Sequence, residues 1–213
     1  MRLSELSEQS GIATATIKYY LREGLLPPGE RVSATQAEYD ESHLRRLRLI
    51  RALIQVGRLP VATAREVLSH VDDESLGRTI RLGAALWALP HGPEPDEEAP
   101  ETAAARAEVD ALLDRLGWAG AREIGELSPV YRSLVAGLAT LARLGYPYES
   151  AHLEEHARLM HEVAVRDLDL MESYPTRAQQ VEMAVASAVL YEPLLTSLRR
   201  LAQEEESARR YGY

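Results

Sequence analysis

The stretch Ile12-Ala13-Thr14-Ala15-Thr16-Ile17-Lys18-Tyr19-Tyr20-Leu21-Arg22-Glu23-Gly24-Leu25-Leu26-Pro27-Pro28 decides how this chain reads. Small hydroxyl residues open a helix over Thr14 to Arg22, and Gly24 terminates it. Upstream, Leu3 to Ser10 carries a helical pattern that stops at Gly11. Only Gly11, Ile12 and Ala13 separate the two segments, which is the tight connection of a helix-turn-helix. Downstream, Pro27 to Tyr39 has turn residues flanking short extended pieces, the pattern of a hairpin wing. His43 to Val56 then places Leu44, Leu47, Ile50, Leu53 and Ile54 at helical spacing; Pro60 breaks that helix, and Ala62 to Val71 forms another.

A short helix of this kind can bring its N-terminal end into a DNA major groove. Thr14 and Thr16 are suited to phosphates or base edges, and Ala15 leaves room for close approach. Lys18 lies one turn further on and can reach a phosphate or a guanine edge, while Tyr19 can donate its hydroxyl to a phosphate. Tyr20 and Arg22 complete the helix's candidates. The competing role for both tyrosines is packing against Leu6, Ile17 and Leu47, and for Arg22 a solvated helix end. Arg45, Arg46, Arg48 and Arg51 form a charge run that can supplement phosphate binding, with Arg46 the chosen candidate.

The ordered series of a Thr, an aliphatic residue, a base, two aromatics, Gly-Leu-Leu and prolines resembles the recognition helix and wing start of MerR-type transcriptional regulators. Tyr39-Asp40-Glu41-Ser42-His43-Leu44-Arg45-Arg46-Leu47-Arg48-Leu49-Ile50-Arg51 is similar to that family's passage from the second wing strand into the next helix. The likeness spans about residues 1–71. It implies a homodimer on a pseudo-palindromic double-stranded operator in a promoter, acting on RNA polymerase indirectly by distorting the DNA. Two departures stand out. Thr35-Gln36-Ala37 replaces a Gly-Tyr-Arg common in the wing, leaving Arg31 and Gln36 as the wing's candidates, and Ala13 replaces the usual Ser or Thr cap, so that Thr14 would share capping with DNA contact.

Composition agrees with this only once it is divided. The 213 residues carry 24 Lys plus Arg against 33 Asp plus Glu, a net charge of −9, which taken alone argues against a nucleic-acid partner. Residues 1–71 hold ten bases and eight acids, net +2, leaving −11 on the remainder. The apolar fraction of 46% is enough to bury a core. No cysteine is present, which removes disulfides, thiolate metal sites and thiol switches, and no cofactor is expected. The first eight residues lack a secretory pattern, and no stretch reads as the ~20 apolar residues of a membrane span. A soluble, cytoplasmic protein without a membrane partner is expected.

Pro90 to Glu101 is rich in prolines and acids that exclude helix and core alike. The expected organisation is mainly α: a winged helix-turn-helix over 1–71 with a small β-hairpin wing, a linking or dimerisation helix over 72–89, a linker over 90–101, and an all-α helical bundle over 102–213. In that bundle Ser128-Pro129 and Ser150 open helices, and a last helix runs to about Glu206 through Pro193. Trp118, Tyr131, Tyr146, Tyr148, Met160, Tyr174 and Tyr191 are candidates to line a small-molecule effector pocket, with core packing as the alternative. His152-Leu153-Glu154-Glu155-His156 matches a zinc-peptidase motif by its letters, making His152 and His156 weak metal candidates. A non-enzymatic regulator is expected. The alternatives are a helical metal-binding protein or hydrolase using the two histidines, and a partner-binding adaptor without DNA contact.

Overall fold

A computed structural model describes residues 1–33 and 36–212. Thr35, the first position of the departure noted in the wing, lies outside the described residues. The chain forms two compact units, one made of residues 1–88 with 174–213 and the other of residues 89–173.

The first unit begins with helices α1 (Leu3–Ser10) and α2 (Thr14–Arg22). Gly11 takes the left-handed conformation at φ +65° that ends α1, and Ser7 Oγ donates to the Ile12 carbonyl at 2.6 Å to close the turn. Gly24, at φ +71°, ends α2 in the same way. The N–H groups of Leu25 and Leu26 then both donate to the Tyr20 carbonyl, at 2.9 and 3.2 Å, drawing the two leucines under the helix, where each is buried. Strands β1 (Glu30–Arg31) and β2 (Ala37–Glu38) pair antiparallel, with Glu30 opposite Glu38 and Arg31 opposite Ala37.

Helix α3 (Glu41–Arg51) starts at Asp40, whose carboxylate accepts the N–H groups of Ser42 and His43 at 2.9 and 3.3 Å. The expected continuous helix to Val56 changes pitch: Ala52–Val56 is a π-helical turn, closed by the Gly57 N–H donating to the Ala52 carbonyl at 2.8 Å. Helix α4 (Val61–Asp72) follows Pro60 and buries Ala64, Val67, Leu68 and Val71. Helix α5 (Arg78–Trp87) is shorter than the 72–89 read from sequence, and its Arg81 and Ala85 are buried, with the helix packed on α4.

In the second unit, α6 (Pro100–Leu116), the short α7 (Ala119–Ile124), α8 (Pro129–Arg143) and α9 (Ser150–Glu172) enclose Ala105, Val109, Leu113, Val135, Leu138 and Ala139. Ser128 caps α8, its Oγ accepting the Tyr131 N–H at 3.3 Å. Ser150 does not cap α9. It is the first helical residue, and its N–H and hydroxyl both donate to Glu108 of α6, at 2.7 and 2.5 Å. A tertiary carboxylate thereby takes the place of a local cap, and these bonds hold the Glu108 carboxyl below its usual range. The Pro-rich stretch is also more ordered than its composition suggests. Pro100 and Glu101 open α6, Arg132 holds Glu94 at 2.7 Å, and Thr102, buried, donates to the Asp96 carbonyl at 2.6 Å. Proline is compatible with a first helical turn, where its missing N–H costs nothing.

Helix α10 (Arg177–Tyr211) returns to the first unit, so residues 174–213 do not belong with the bundle in which the sequence reading placed them. It packs on α5, α4 and the π-helical turn and buries Val181 and Val185. A Cβ on Gly57 would stand 2.6 Å from Val189 Cγ1 and 2.9 Å from the Leu53 carbonyl, so this approach requires glycine. An 18-residue window of α10 reaches a mean hydropathy of 1.3, long and apolar enough to cross a membrane by composition alone, which the sequence reading had not found. Its apolar side chains divide between packing on the first unit and an exposed distal stripe.

Replacing Gly57 with valine is expected to destabilise the first unit by about 1–3 kcal/mol through overpacking, measured by denaturant unfolding. Asp40→Ala is expected to cost about 1 kcal/mol as a lost helix cap. The Asp40 carboxyl is held well below its usual range by hydrogen bonds from Ser42 and His43. Its contribution is therefore full at neutral pH and lost as the medium is acidified below about pH 4, so the deficit of the alanine variant should narrow there.

Candidate nucleic-acid interface

Helix α2 has two faces with different fates. Ile17 and Tyr20 turn inward, with 0% and 5% of their surface exposed, into a core that includes the buried Leu6, Leu47 and Ile50. The outward face presents Ala15, Lys18 and Arg22, exposed, with Thr14, Thr16 and Tyr19 half-buried at its edges. No side chain caps the helix's N-terminus at Ala13, so Thr14 does not serve as the cap. Uncapped first-turn N–H groups carry the positive end of the helix dipole and suit a phosphate. Arg22 stands over the Tyr19 ring, 5.2 Å from its centroid, orienting that aromatic ring beside the exposed face.

Two candidates leave the interface. Tyr20 is buried, and loss of solvent pushes its phenol pKa up against the opposing charge of Arg51, the signature of a core residue. Arg46 is 5% exposed and is ion-paired with Asp72 of α4. Its position on α3 faces α4, not solvent, because the apolar spacing of Leu44, Leu47 and Ile50 sets the helix's rotation. Beside it, Arg45 lies 3.8 Å from Glu182 of α10, whose carboxyl is pushed up by burial against the opposing charges of Arg46 and Arg45.

In the wing, Arg31 and Gln36 are both exposed, and the Gln36 carbonyl accepts the N–H groups of Val32 and Ser33 at 3.0 and 3.2 Å. Arg65, on α4, also bears on the placement of α2. Its Nε donates to the Glu23 carbonyl at 2.7 Å and its Nη2 meets the Glu23 carboxylate at 3.0 Å, tying α4 to the end of α2. An arginine 42 positions away carries no local signal of that role.

The aromatic set divides between the two units. Tyr131, 8% exposed, belongs to the second unit's core and donates its hydroxyl to Asp110 at 2.8 Å; burial and that bond push its phenol pKa up. Trp118 and Tyr148 pack against the same core, whereas Tyr146 and Met160 are exposed. Tyr174 and Tyr191 belong to the first unit, where Tyr174 lines a groove of about 230 Å³ with Met183 and Leu190. His152 and His156 are both exposed, and His152 Nδ1 lies 3.3 Å from Glu149. Among the described residues no group of three or more His, Asp or Glu side chains is placed to hold a metal ion.

Residues 1–71 match the MerR HTH family of regulatory proteins. That segment is a MerR-family helix-turn-helix domain. Along its whole length it is similar to a crystal structure described as that of the "putative transcriptional regulator SCO5550" from Streptomyces coelicolor A3(2), with 65% identity, a TM-score of 0.87, and coverage of 100% of this chain and 99% of that one. The HTH-type transcriptional regulator ZntR homolog of Haemophilus influenzae is 40% identical over 50 residues, and AdhR of Bacillus subtilis, also an HTH-type transcriptional regulator, is 32% identical over 57. Those matches cover 24% and 27% of this chain, and the chain spans only 37% and 41% of the two curated relatives. The family match thus lies in residues 1–71, which contain α2 and the wing, while the likeness to the Streptomyces protein extends through both units.

Burial separates folding from recognition within α2. Tyr20→Ala is expected to lower stability by about 3 kcal/mol, as other large core truncations do. Tyr20→Phe should leave DNA affinity unchanged; weakened binding at wild-type stability would show that the phenol reaches DNA after all.

Proposed function

We propose that this protein is a cytoplasmic, non-enzymatic transcriptional regulator of the MerR type that binds a pseudo-palindromic promoter operator as a homodimer and acts on RNA polymerase through the shape of the DNA. The observation that carries the reading is the uncapped start of α2, with Ala15 and Lys18 exposed on its outward face and Thr14 at the edge, above a buried Ile17–Tyr20 face. The wing's Arg31 and Gln36 extend the same reading to the backbone or minor groove.

Dimerisation is assigned to the distal half of α10 instead of α5. The α5 face bearing Arg81 and Ala85 is already used within the first unit. Tyr191, Leu194, Leu198 and Leu201 are all exposed, the three leucines at 55%, 60% and 58%. Their 3-4-3 spacing is a coiled-coil seam that reads the same in both directions. Two antiparallel copies would oppose Tyr191 to Leu201 and Leu194 to Leu198 of the second helix. An apolar stripe left in water on a charged helix supports a protein partner, and a two-fold copy doubles the DNA footprint.

The test is anisotropy titration of the DNA upstream of the protein's own gene. Lys18→Ala should weaken binding by about tenfold and lower the salt slope by about one, without shifting the melting temperature. Unchanged affinity would exclude α2 as the reader. Leu194→Asp with Leu198→Asp should yield a monomer by sedimentation and lose tight operator binding; a dimer that persists in this variant places the seam elsewhere.

A further inference from the structure

Within the first unit, α3 and α10 face each other across the groove of about 230 Å³ that Tyr174 lines. Arg45, Arg48, Leu49 and Ala52 form the α3 side, at the spacing of one helix face. Glu182, Met183, Ala186 and Leu190 form the α10 side with the same kind of spacing. Arg45 meets Glu182 at one end, and beyond the π-helical turn Gly57 meets Val189 at the other, so the two helices run the same way along the groove. Both walls therefore pass from charge to hydrocarbon in the same direction. The groove is itself amphipathic, with a charged end at Arg45 and Arg48 and an apolar end toward Ala52 and Leu190.

The charged end lacks a full set of partners. Arg45 and Glu182 stand 3.8 Å apart, too far for a hydrogen bond, and the Arg45 Nε, shielded from water, donates to no acceptor. A buried donor left unmet is costly, and folded proteins normally supply one with an acceptor. Arg48 is exposed at the mouth, and among the described residues no hydrogen bond or ion pair engages its guanidinium. Glu182 does not answer for both arginines, because its carboxyl is half-buried and already lies in the fields of Arg46 and Arg81, with Asp72 opposing. Arg46 is itself committed to Asp72, and Arg81 to the Val71 carbonyl. The lining thus sets two guanidinium groups against one shared carboxylate.

We infer that this groove binds a small organic carboxylate with an apolar body, its carboxylate bridging Arg45 and Arg48 and its body lying toward Ala52 and Leu190. Guanidinium forks match carboxylate oxygens in pairs, which supplies the acceptor that the Arg45 Nε lacks. Leu49 and Ala186 offer hydrocarbon to the body, and Met183 adapts to its outline. The volume falls just under the roughly 300–1,000 Å³ of drug-sized sites, which suits a molecule the size of benzoate. An organic cation would meet two arginines on its way to Glu182, so the same charges select against it. Because the groove is walled by α3 and α10, a bound carboxylate ties the head to the helix that carries the exposed seam. This site is independent of the DNA reading.

The full-length protein is titrated calorimetrically at constant ionic strength, without DNA, using benzoate, its neutral isostere benzamide and the cation benzylamine. Benzoate should bind saturably, benzamide about tenfold more weakly or less, and benzylamine not at all. Arg48→Gln, changed at an exposed side chain, should weaken benzoate by about tenfold while melting like wild type. Ala186→Phe, which keeps every charge and fills the groove, should exclude it; if that variant does not fold, Arg48→Gln decides. Arg209→Gln, outside the site, should change nothing. Benzoate that does not saturate, or that binds both variants as it binds wild type, overturns the proposal. So does benzamide or benzylamine binding as tightly as benzoate, since the carboxylate would then not be what the groove selects. An Arg48→Gln variant that loses operator affinity and salt slope when benzoate shows no saturable binding also overturns it, because Arg48 would then be a contact to the DNA backbone.

Discussion

Burial of Ile17 and Tyr20 beneath α2 is the constraint on which the head depends. An α-helix turns 3.6 residues per revolution, so committing positions 17 and 20 to the core places 15, 18 and 22 on the opposite side. The same burial makes the Gly24 turn necessary, because Leu25 and Leu26 must double back under the helix to complete the apolar floor. The exposed face of α2 is therefore held in place chiefly by the core packed beneath it. Rigidity of that origin favours recognition, since little side-chain and backbone freedom remains to be lost on binding.

The second organising contact is the return of α10 to the first unit. Gly57 leaves no side chain where Val189 approaches, and the π-helical turn before it moves the end of α3 out of a regular helical path. Arg46–Asp72 and Arg45–Glu182 lie along the same junction and link α3 to α4 and α10. Partly buried charges of this kind contribute little net stability, but they penalise any misregistered packing of the helices. Half of α10 is consumed in this way. The other half continues into solvent with an apolar stripe that nothing in the first unit covers.

Legibility along the chain followed the range of the determining interactions. The bounds of α1 and α2, the glycine stops and the Ser128 cap were readable because each depends on neighbours within a few residues. The fates of Tyr20 and Arg46 were not. Each is a chemically suitable DNA ligand, and only the rotation of its helix about the core decides whether it faces solvent. Ser150 failed as a cap for a similar reason: Glu108, 42 positions away, reaches the helix end first. The aromatic residues looked like a pocket when gathered by composition, yet they divide between two units and between core and surface.

By itself, the sequence determined the helix-turn-helix with its wing, the family resemblance and the polarity of charge between head and remainder, since these rest on local spacing, turn chemistry and counting. Only the tertiary structure decided that the last helix joins the head, that α3 and α10 wall a groove with two arginines against one shared carboxylate, and that an apolar seam is left exposed. The physical reason is separation along the chain. Residues 45–52 and 182–190 carry no pattern that refers to each other, and their meeting is set by the packing of α10 on α4, α5 and the π-helical turn.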